Sequence, residues 1–222
     1  MLMSDTPDHT RLRKLANKAF TPRVVERMRS SMQATTDELL DGIEKDGRQD
    51  GRFDVIQDLA NPLPPIVISE MLGVPAADRE QFKIWSSALA AFLGNIRMVA
   101  ETAESALNSV LALSDYLREI ISQRRLEPQE DLLSAFVAAE EEGDKFSEAE
   151  LYSMCILLMI AGHETTTNLI GNGILALLQN PEQKQLLQED SGLIGSAVEE
   201  LLRFDPPIQK TRRTAKGDID LG

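Results

Sequence analysis

Cysteine is nearly absent from this 222-residue sequence, Cys155 being the only one. No intrachain disulfide can form, and a reducing compartment fits, with the cytoplasm as the expected location. Histidine is almost as scarce, with only His9 and His163, which argues against a His-rich metal site. No apolar run reaches the ~18 residues that a membrane span needs. The opening Met1-Leu2-Met3-Ser4-Asp5 also lacks the charged and apolar regions of a signal peptide. Basic residues number 23 against 36 acidic ones, and the net charge of -13 argues against a chain-wide nucleic-acid or anionic-membrane surface.

The local exception lies between His9 and Arg29, where Glu26 is the only acid among Arg11, Arg13, Lys14, Lys18, Arg23, Arg27 and Arg29. Two readings stay open, a solvated helix face and a dock for an acidic partner.

What the chain does have is 42% hydrophobic residues, enough for one large domain with its own core. The apolar positions recur at helical steps, and the punctuation is Pro, Gly and capping residues rather than hairpin turns. Thr6-Pro7 and Thr21-Pro22 each read as an N-cap followed by proline at the first helical position. After the second, Val25, Met28, Met32, Leu39 and Ile43 mark one buried stripe of a single helix. Residues 53–72, broken by Pro62, Pro64 and Pro65 and closed by Gly73 and Pro75, predict two short helical pieces. No repeat or low-complexity linker suggests a second domain. The longest helix has the clearest start: Ser147 and Glu150 form a capping box, with Phe146 and Leu151 as a hydrophobic staple. Running to Leu178 it spans about 48 Å at 1.5 Å per residue.

In the middle of that apolar helix the sequence turns polar: Ala161-Gly162-His163-Glu164-Thr165-Thr166-Thr167-Asn168. Burying a carboxylate and hydroxyls is expensive unless they have partners or a task. Gly162 and the threonine run weaken the helix, and a Thr hydroxyl taking the carbonyl four residues back predicts a bulge with room for a small ligand. A polar kink facing another helix is the alternative. A zinc-protease helix is excluded, because its second His would fall at Thr167.

These residues resemble the oxygen-binding helix motif of the cytochrome P-450 family, (A/G)-G-x-(D/E)-T-(T/S), on Ala161-Gly162-His163-Glu164-Thr165-Thr166. Three further matches follow the family's order. Asp5 to Arg13 is similar to the early helix whose His and Arg, four residues apart, contact the haem propionates, here His9 and Arg13 on one helical face. Glu200-Leu201-Leu202-Arg203 matches E-x-x-R, an i, i+3 pair assigned to structure rather than chemistry. A buried pair of this kind would leave a stranded charge when broken. Asp115 and Arg118 show the same spacing with no implied role. Pro207-Ile208-Gln209-Lys210-Thr211-Arg212-Arg213 resembles P-V-Q-x-x-x-R, whose Arg, here Arg213, binds a propionate.

The resemblance, to soluble bacterial members in particular, implies a mainly α chain. It corresponds to the central-to-C-terminal helical part of the family fold, with the start of a small β-sheet between Thr211 and Leu221, all in one truncated domain, 1–222. The family's axial-ligand loop, F-x-x-G-x-x-x-C-x-G, has no match here. Cys155 is expected to fill core space instead, and this chain alone is expected to be inactive. The implied cofactor is haem. It would insert one atom of dioxygen into an organic substrate, with Thr165 hydrogen-bonding dioxygen or its water and Glu164 relaying protons. Ala161 and Gly162 would lie beside the haem. Phe92, Leu93, Leu158 and Ile208 suggest an apolar substrate, without choosing among steroids, terpenoids, polyketides and fatty acids. Electrons would come from NAD(P)H through a ferredoxin or flavodoxin docking near Arg11, Lys14 and Lys18. The rival reading is a non-catalytic helical protein that binds a small apolar ligand or regulates a partner.

Overall fold

Prolines and capping side chains set most helix starts. The computed structural model describes residues 4–45, 51–94, 99–141, 143–210, 215 and 217. The expected strand pair after Thr211, and with it Arg213, therefore lies outside the described residues. Helix α1 (Asp8–Ala19) begins one residue later than its Thr-Pro pattern predicts, with Pro7 as an N-cap that makes no side-chain bond. Helix α2 (Pro22–Arg27) follows the pattern: Thr21 accepts from Val24 N–H through its hydroxyl.

The single helix expected from Pro22 is interrupted. Met28 N–H bonds the Val25 carbonyl three residues back at 3.1 Å, and α3 (Arg29–Lys45) starts afresh. The stripe is also less buried than its periodicity implies. Val25 is 41% exposed, Met28, Met32, Leu39 and Ile43 are half-buried, and the fully buried member is Thr35. Thr35 fills the gap in the apolar pattern at the three- and four-residue steps between Met32 and Leu39, a place that a count of apolar residues alone skips.

The proline-rich segment forms two helical pieces as expected, but the first is a π turn, Val55–Ala60. Asp54 caps it by accepting from Ile56 and Gln57 N–H at 2.9 and 3.1 Å, and Asn61 N–H reaches the Ile56 carbonyl five residues back. Pro62, Pro64 and Pro65 bring no N–H, so an ordinary α ladder cannot be completed here. Helix α4 (Leu63–Met71) follows and ends on Gly73 at φ +70°. Val74 N–H bonds the Ser69 carbonyl and Gly73 N–H bonds that of Glu70, the paired bonds of a Schellman end.

Helices α5 (Arg79–Gly94), α6 (Ala100–Leu126) and α7 (Leu132–Ala138) complete the main core. Phe82, Leu113, Leu117, Ile121, Leu132 and Phe136 are almost fully buried there, against Leu15 of α1. A two-residue hairpin then appears that no sequence pattern announced. Strand β1 (Glu140–Glu141) pairs antiparallel with β2 (Asp144–Lys145) in the register Glu140 with Lys145 and Glu141 with Asp144, and Gly143 takes φ +80°.

Helix α8 (Glu148–Gln179) has the predicted start: Ser147 N–H donates to the Glu150 carboxylate at 2.8 Å, and Glu150 N–H donates to the Ser147 hydroxyl at 3.3 Å. Phe146 and Leu151 are both buried in the core, as a staple requires. Contacts gather into two compact units, Met1–Thr167 and Asn168–Gly222. In the second unit, α9 (Pro181–Glu189) and α10 (Ile194–Phe204) join the end of α8. There a Cβ on Gly173 would come within 2.9 Å of Leu201 Cδ1, so the small residue permits the close helix contact.

Candidate active site

The buried stripe of α8 runs Leu151, Cys155, Met159, His163 and Thr167, one residue every four. Its last two members are polar, so the polar segment is not one patch but two faces. His163 and Thr167 point into the first unit, Glu164 and Thr166 are exposed, and Thr165 is half-buried beside exposed Ala161.

The inward face is fully bonded. His163 Nδ1 lies 3.0 Å from the Ser86 hydroxyl of α5, and Nε2 lies 3.2 Å from Asn61 Oδ1. Thr167 donates to the Ala60 carbonyl at 3.0 Å. In a continued α-helix that carbonyl would be taken by the N–H of residue 64, which is proline, so Thr167 satisfies an acceptor that Pro64 leaves open. Asn61 and Ser86 were not legible as site residues. They lie 102 and 77 positions from His163, and nothing in their local sequence singles them out.

The expected bulge does not form. The Thr165 hydroxyl does donate to the Ala161 carbonyl, yet α8 stays α-helical through the motif. Its turn is held from the other side by His163 and Thr167. Gly162 faces α4, where an added Cβ would meet Ile68 Cδ1 at 2.7 Å and Cγ1 at 3.3 Å. Gly162→Ala should gain about 1 kcal/mol in helix propensity and lose about 1–3 kcal/mol to overpacking. A net destabilisation of about 1 kcal/mol is expected. Adding Ile68→Val, which removes Cδ1, should recover it. Thermal melts of the two single variants and the double check this, and simple additivity would show that the contact does not limit the site.

Burial holds the His163 pKa below its ordinary value. The nearby Lys83 charge acts in the same direction, and the bond with Asn61 opposes both. The folded protein thus resists protonating this ring while the unfolded chain accepts the proton with a pKa of about 6.5. The associated stability is fully present above that value and is lost as pH falls from it through the lower folded pKa. Urea unfolding between about pH 7.5 and about pH 5.5 should show a steeper acid loss for the wild type than for His163→Leu. Parallel slopes would mean that the ring titrates as it does in the unfolded chain.

On α1, His9 is half-buried and Arg13 exposed, at the four-residue spacing that puts both on one face. Two donors so placed can hold a carboxylate. Arg11 lies elsewhere on the helix and is already committed: it bonds Glu150 and, at 3.4 Å, Asp144, and its pKa is raised chiefly by the bond with Glu150. Lys14 and Lys18 are exposed. The hairpin thus brings Asp144 to α1, and the capping-box residue Glu150 has a second partner there.

Glu200 and Arg203 do pair, through two bonds of 2.8 and 2.7 Å, but their side chains are 58% and 69% exposed. In this chain the pair is a surface bridge with the i, i+3 spacing of Asp115 and Arg118. Of the substrate-pocket residues, Phe92 and Leu158 are half-buried against the core and Ile208, in the second unit, is 60% exposed. The side chain of Leu93 lies outside the described part. No group of three or more His, Cys, Asp or Glu side chains among the described residues could hold a metal ion.

The cytochrome P450 family profile matches residues 1–222. The chain belongs to the cytochrome P450 family. Polyketide biosynthesis cytochrome P450 PksS of Bacillus subtilis (strain 168) is 46% identical over 208 residues, 94% of this chain and 49% of that protein. The biotin biosynthesis cytochrome P450 of the same strain is 44% identical over 221 residues, 100% of this chain and 54% of that protein. The crystal structure of P450BioI in complex with hexadec-9Z-enoic acid ligated acyl carrier protein matches with a TM-score of 0.87 at 44% identity, covering 99% of this chain and 56% of that one. The chain thus spans about half the length of the curated relatives it matches. None of its described helices is long and apolar enough to cross a membrane.

The P450 family implies haem. The described residues include donors whose chemistry suits its carboxylates, His9 and Arg13, and a helix face with Thr165 and Ala161. They do not supply its thiolate. Cys155 is completely buried in the core, where desolvation pushes its thiol up to about 12, and a protonated core thiol is neither a ligand nor a nucleophile.

Proposed function

We propose that this chain carries the oxygen-side helix and propionate donors of a haem monooxygenase that inserts one atom of dioxygen into an apolar organic substrate. The second oxygen atom leaves as water. The observation that carries the reading is the division of the motif in α8: His163 and Thr167 are consumed in internal bonds, while Ala161, Glu164 and Thr165 remain on the outward side. Haem, when bound, supplies the redox chemistry. His9 and Arg13 hold a propionate. Thr165 keeps a proton available at its hydroxyl, and the exposed Glu164 carboxylate replaces that proton from solvent. Glu200 and Arg203 serve the fold. Phe92 and Leu158 contribute apolar contacts to the substrate. The apolar class is supported by the hexadec-9Z-enoic acid in the related complex and by the relatives named for polyketide and biotin biosynthesis. Electrons arrive from NAD(P)H through a ferredoxin or flavodoxin in the cytoplasm. Lys14 and Lys18 are its docking charges, while Arg11 is engaged in holding α1.

The test is turnover of the haem-loaded enzyme, this chain completed with an axial-ligand segment, with isotopically labelled dioxygen and a reductase system, using a panel of fatty acids, polyketides and terpenoids. One labelled oxygen atom should appear in product and one in water. Product oxygen derived from water, or tight binding of the panel with no oxidation, would favour the non-catalytic ligand-binding reading.

A further inference from the structure

We infer that His163 is a positioning residue, whose ring, tethered between Ser86 and Asn61, sets the rotation of the α8 turn that presents Glu164 and Thr165. The consequence for turnover rests on the monooxygenase reading; the tether itself does not.

With the Asn61 amide oxygen toward the ring, the two bonds assign the ring's proton. Asn61 Oδ1 can only accept, so Nε2 at 3.2 Å carries the hydrogen. In the neutral imidazole Nδ1 then accepts from the Ser86 hydroxyl at 3.0 Å. His163 is 4% exposed and Ser86 1%, so water cannot readily replace either bond. One turn on, Thr167 adds a third bond, to the Ala60 carbonyl. Two neighbouring turns of one helix face are thereby attached to α5 and to the end of the π turn at three points.

Apolar side chains in this stripe would fill the same space, but dispersion contacts have no preferred direction and tolerate sliding. Hydrogen bonds weaken steeply once bent. The difference matters because Thr165, two residues from His163, lies about 200° around the helix. A twist of about 20° moves a group at the rim, some 5 Å from the axis, by about 2 Å. A misplacement of about 1 Å at a reacting centre can cost on the order of 100-fold. Gly162 supports the same arrangement by letting α8 sit against Ile68.

Three haem-loaded enzymes, each this chain completed with an axial-ligand segment, decide the matter: wild type, His163→Leu, which keeps apolar bulk and removes both ring bonds, and Ser86→Ala, which removes one. Product formed per NAD(P)H consumed should fall on the order of tenfold in His163→Leu and less in Ser86→Ala, with haem content retained. His163→Gln, which keeps a donor and an acceptor, should recover part of the loss. Coupling equal to wild type in a haem-loaded His163→Leu enzyme would reduce His163 to packing and overturn the proposal. If that variant does not fold, Ser86→Ala carries the decision in the same direction. Independently of turnover, imidazole nitrogen spectra of the wild type, assigned by loss of the signal in His163→Leu, should show a neutral ring protonated on Nε2. A ring protonated on Nδ1, or averaging between tautomers, would overturn the tether. An enzyme that passes this spectral test yet oxidises no substrate would refute the monooxygenase reading alone.

Discussion

Gly73→Ala should destabilise the protein by about 3–5 kcal/mol, a large part of the 5–15 kcal/mol that holds an ordinary domain together. Two costs coincide at this residue. Its φ of +70° lies in the left-handed region, where a Cβ costs about 1–2 kcal/mol. The added Cβ would also stand 2.7 Å from Asp131 Cγ and 2.9 Å from Arg124 Nη2, too close for either to remain. Those two groups form a largely buried pair, 7% and 15% exposed, with Arg124 Nε donating to Asp131 Oδ2 at 2.5 Å. Arg124 also donates to the Gly73 carbonyl, and Asp131 caps α7 by accepting from Ser134 N–H at 2.7 Å. Displacing the carboxylate therefore strands a buried guanidinium and uncaps a helix. Urea unfolding of Gly73→Ala and Gly73→Asn separates the causes. Asn tolerates the backbone angle but brings the same Cβ, so equal losses assign the effect to the crowded pair, and a much milder Asn variant assigns it to φ. A loss below about 1 kcal/mol in Gly73→Ala would show that the pair relaxes freely.

The Gly73 turn was legible in the sequence, and so was the start of α8, because both depend on chemistry between near neighbours: a glycine for a left-handed angle, a Ser-x-x-Glu reciprocal cap, prolines that deny N–H groups. The hairpin at Glu140–Glu141 and Asp144–Lys145 was not. Two-residue strands are too short for alternation to register, and its role is defined by Arg11, far away in sequence. The stripe after Pro22 was read correctly in phase but too deeply buried. Periodicity reports which residues share a face, while depth depends on what covers it. At the motif, the polar residues were read as needing partners or a task, and His163 and Thr167 have partners. Sequence could not divide them. Whether His163 or Thr165 turns inward depends on where α5 and the π turn lie, and Ser86 and Asn61 have no signature of their own. The bulge expected from the threonine run failed for the same reason. Its local cause is present, since Thr165 bonds the Ala161 carbonyl, but three long-range bonds on the opposite side hold the helix closed.

In a chain completed with an axial-ligand segment, Thr165→Ala should leave the fold intact while separating electron consumption from product formation. Among the described residues its hydroxyl is bonded only to the carbonyl one turn back in its own helix, a contact that contributes little and slightly opposes helix formation. Alanine is the better helix former by about 0.5 kcal/mol, and the bonds of His163 and Thr167 on the far face do not involve residue 165. Thermal stability and haem content should accordingly match or exceed the wild type. Turnover should not. Positioned proton transfer contributes about 10²- to 10⁴-fold. On the proposed role of its hydroxyl, losing it should cut product formed per NAD(P)H consumed by on the order of tenfold or more, the reducing equivalents appearing as peroxide or excess water. Thr165→Ser should restore most of the coupling, and Thr165→Val, which keeps the shape without the hydroxyl, should behave like alanine. That pattern distinguishes chemistry from packing, because a purely steric role would be filled by valine and not by serine. Unchanged coupling in Thr165→Ala would remove the residue from the proton path and leave the exposed Glu164 carboxylate to act through water alone.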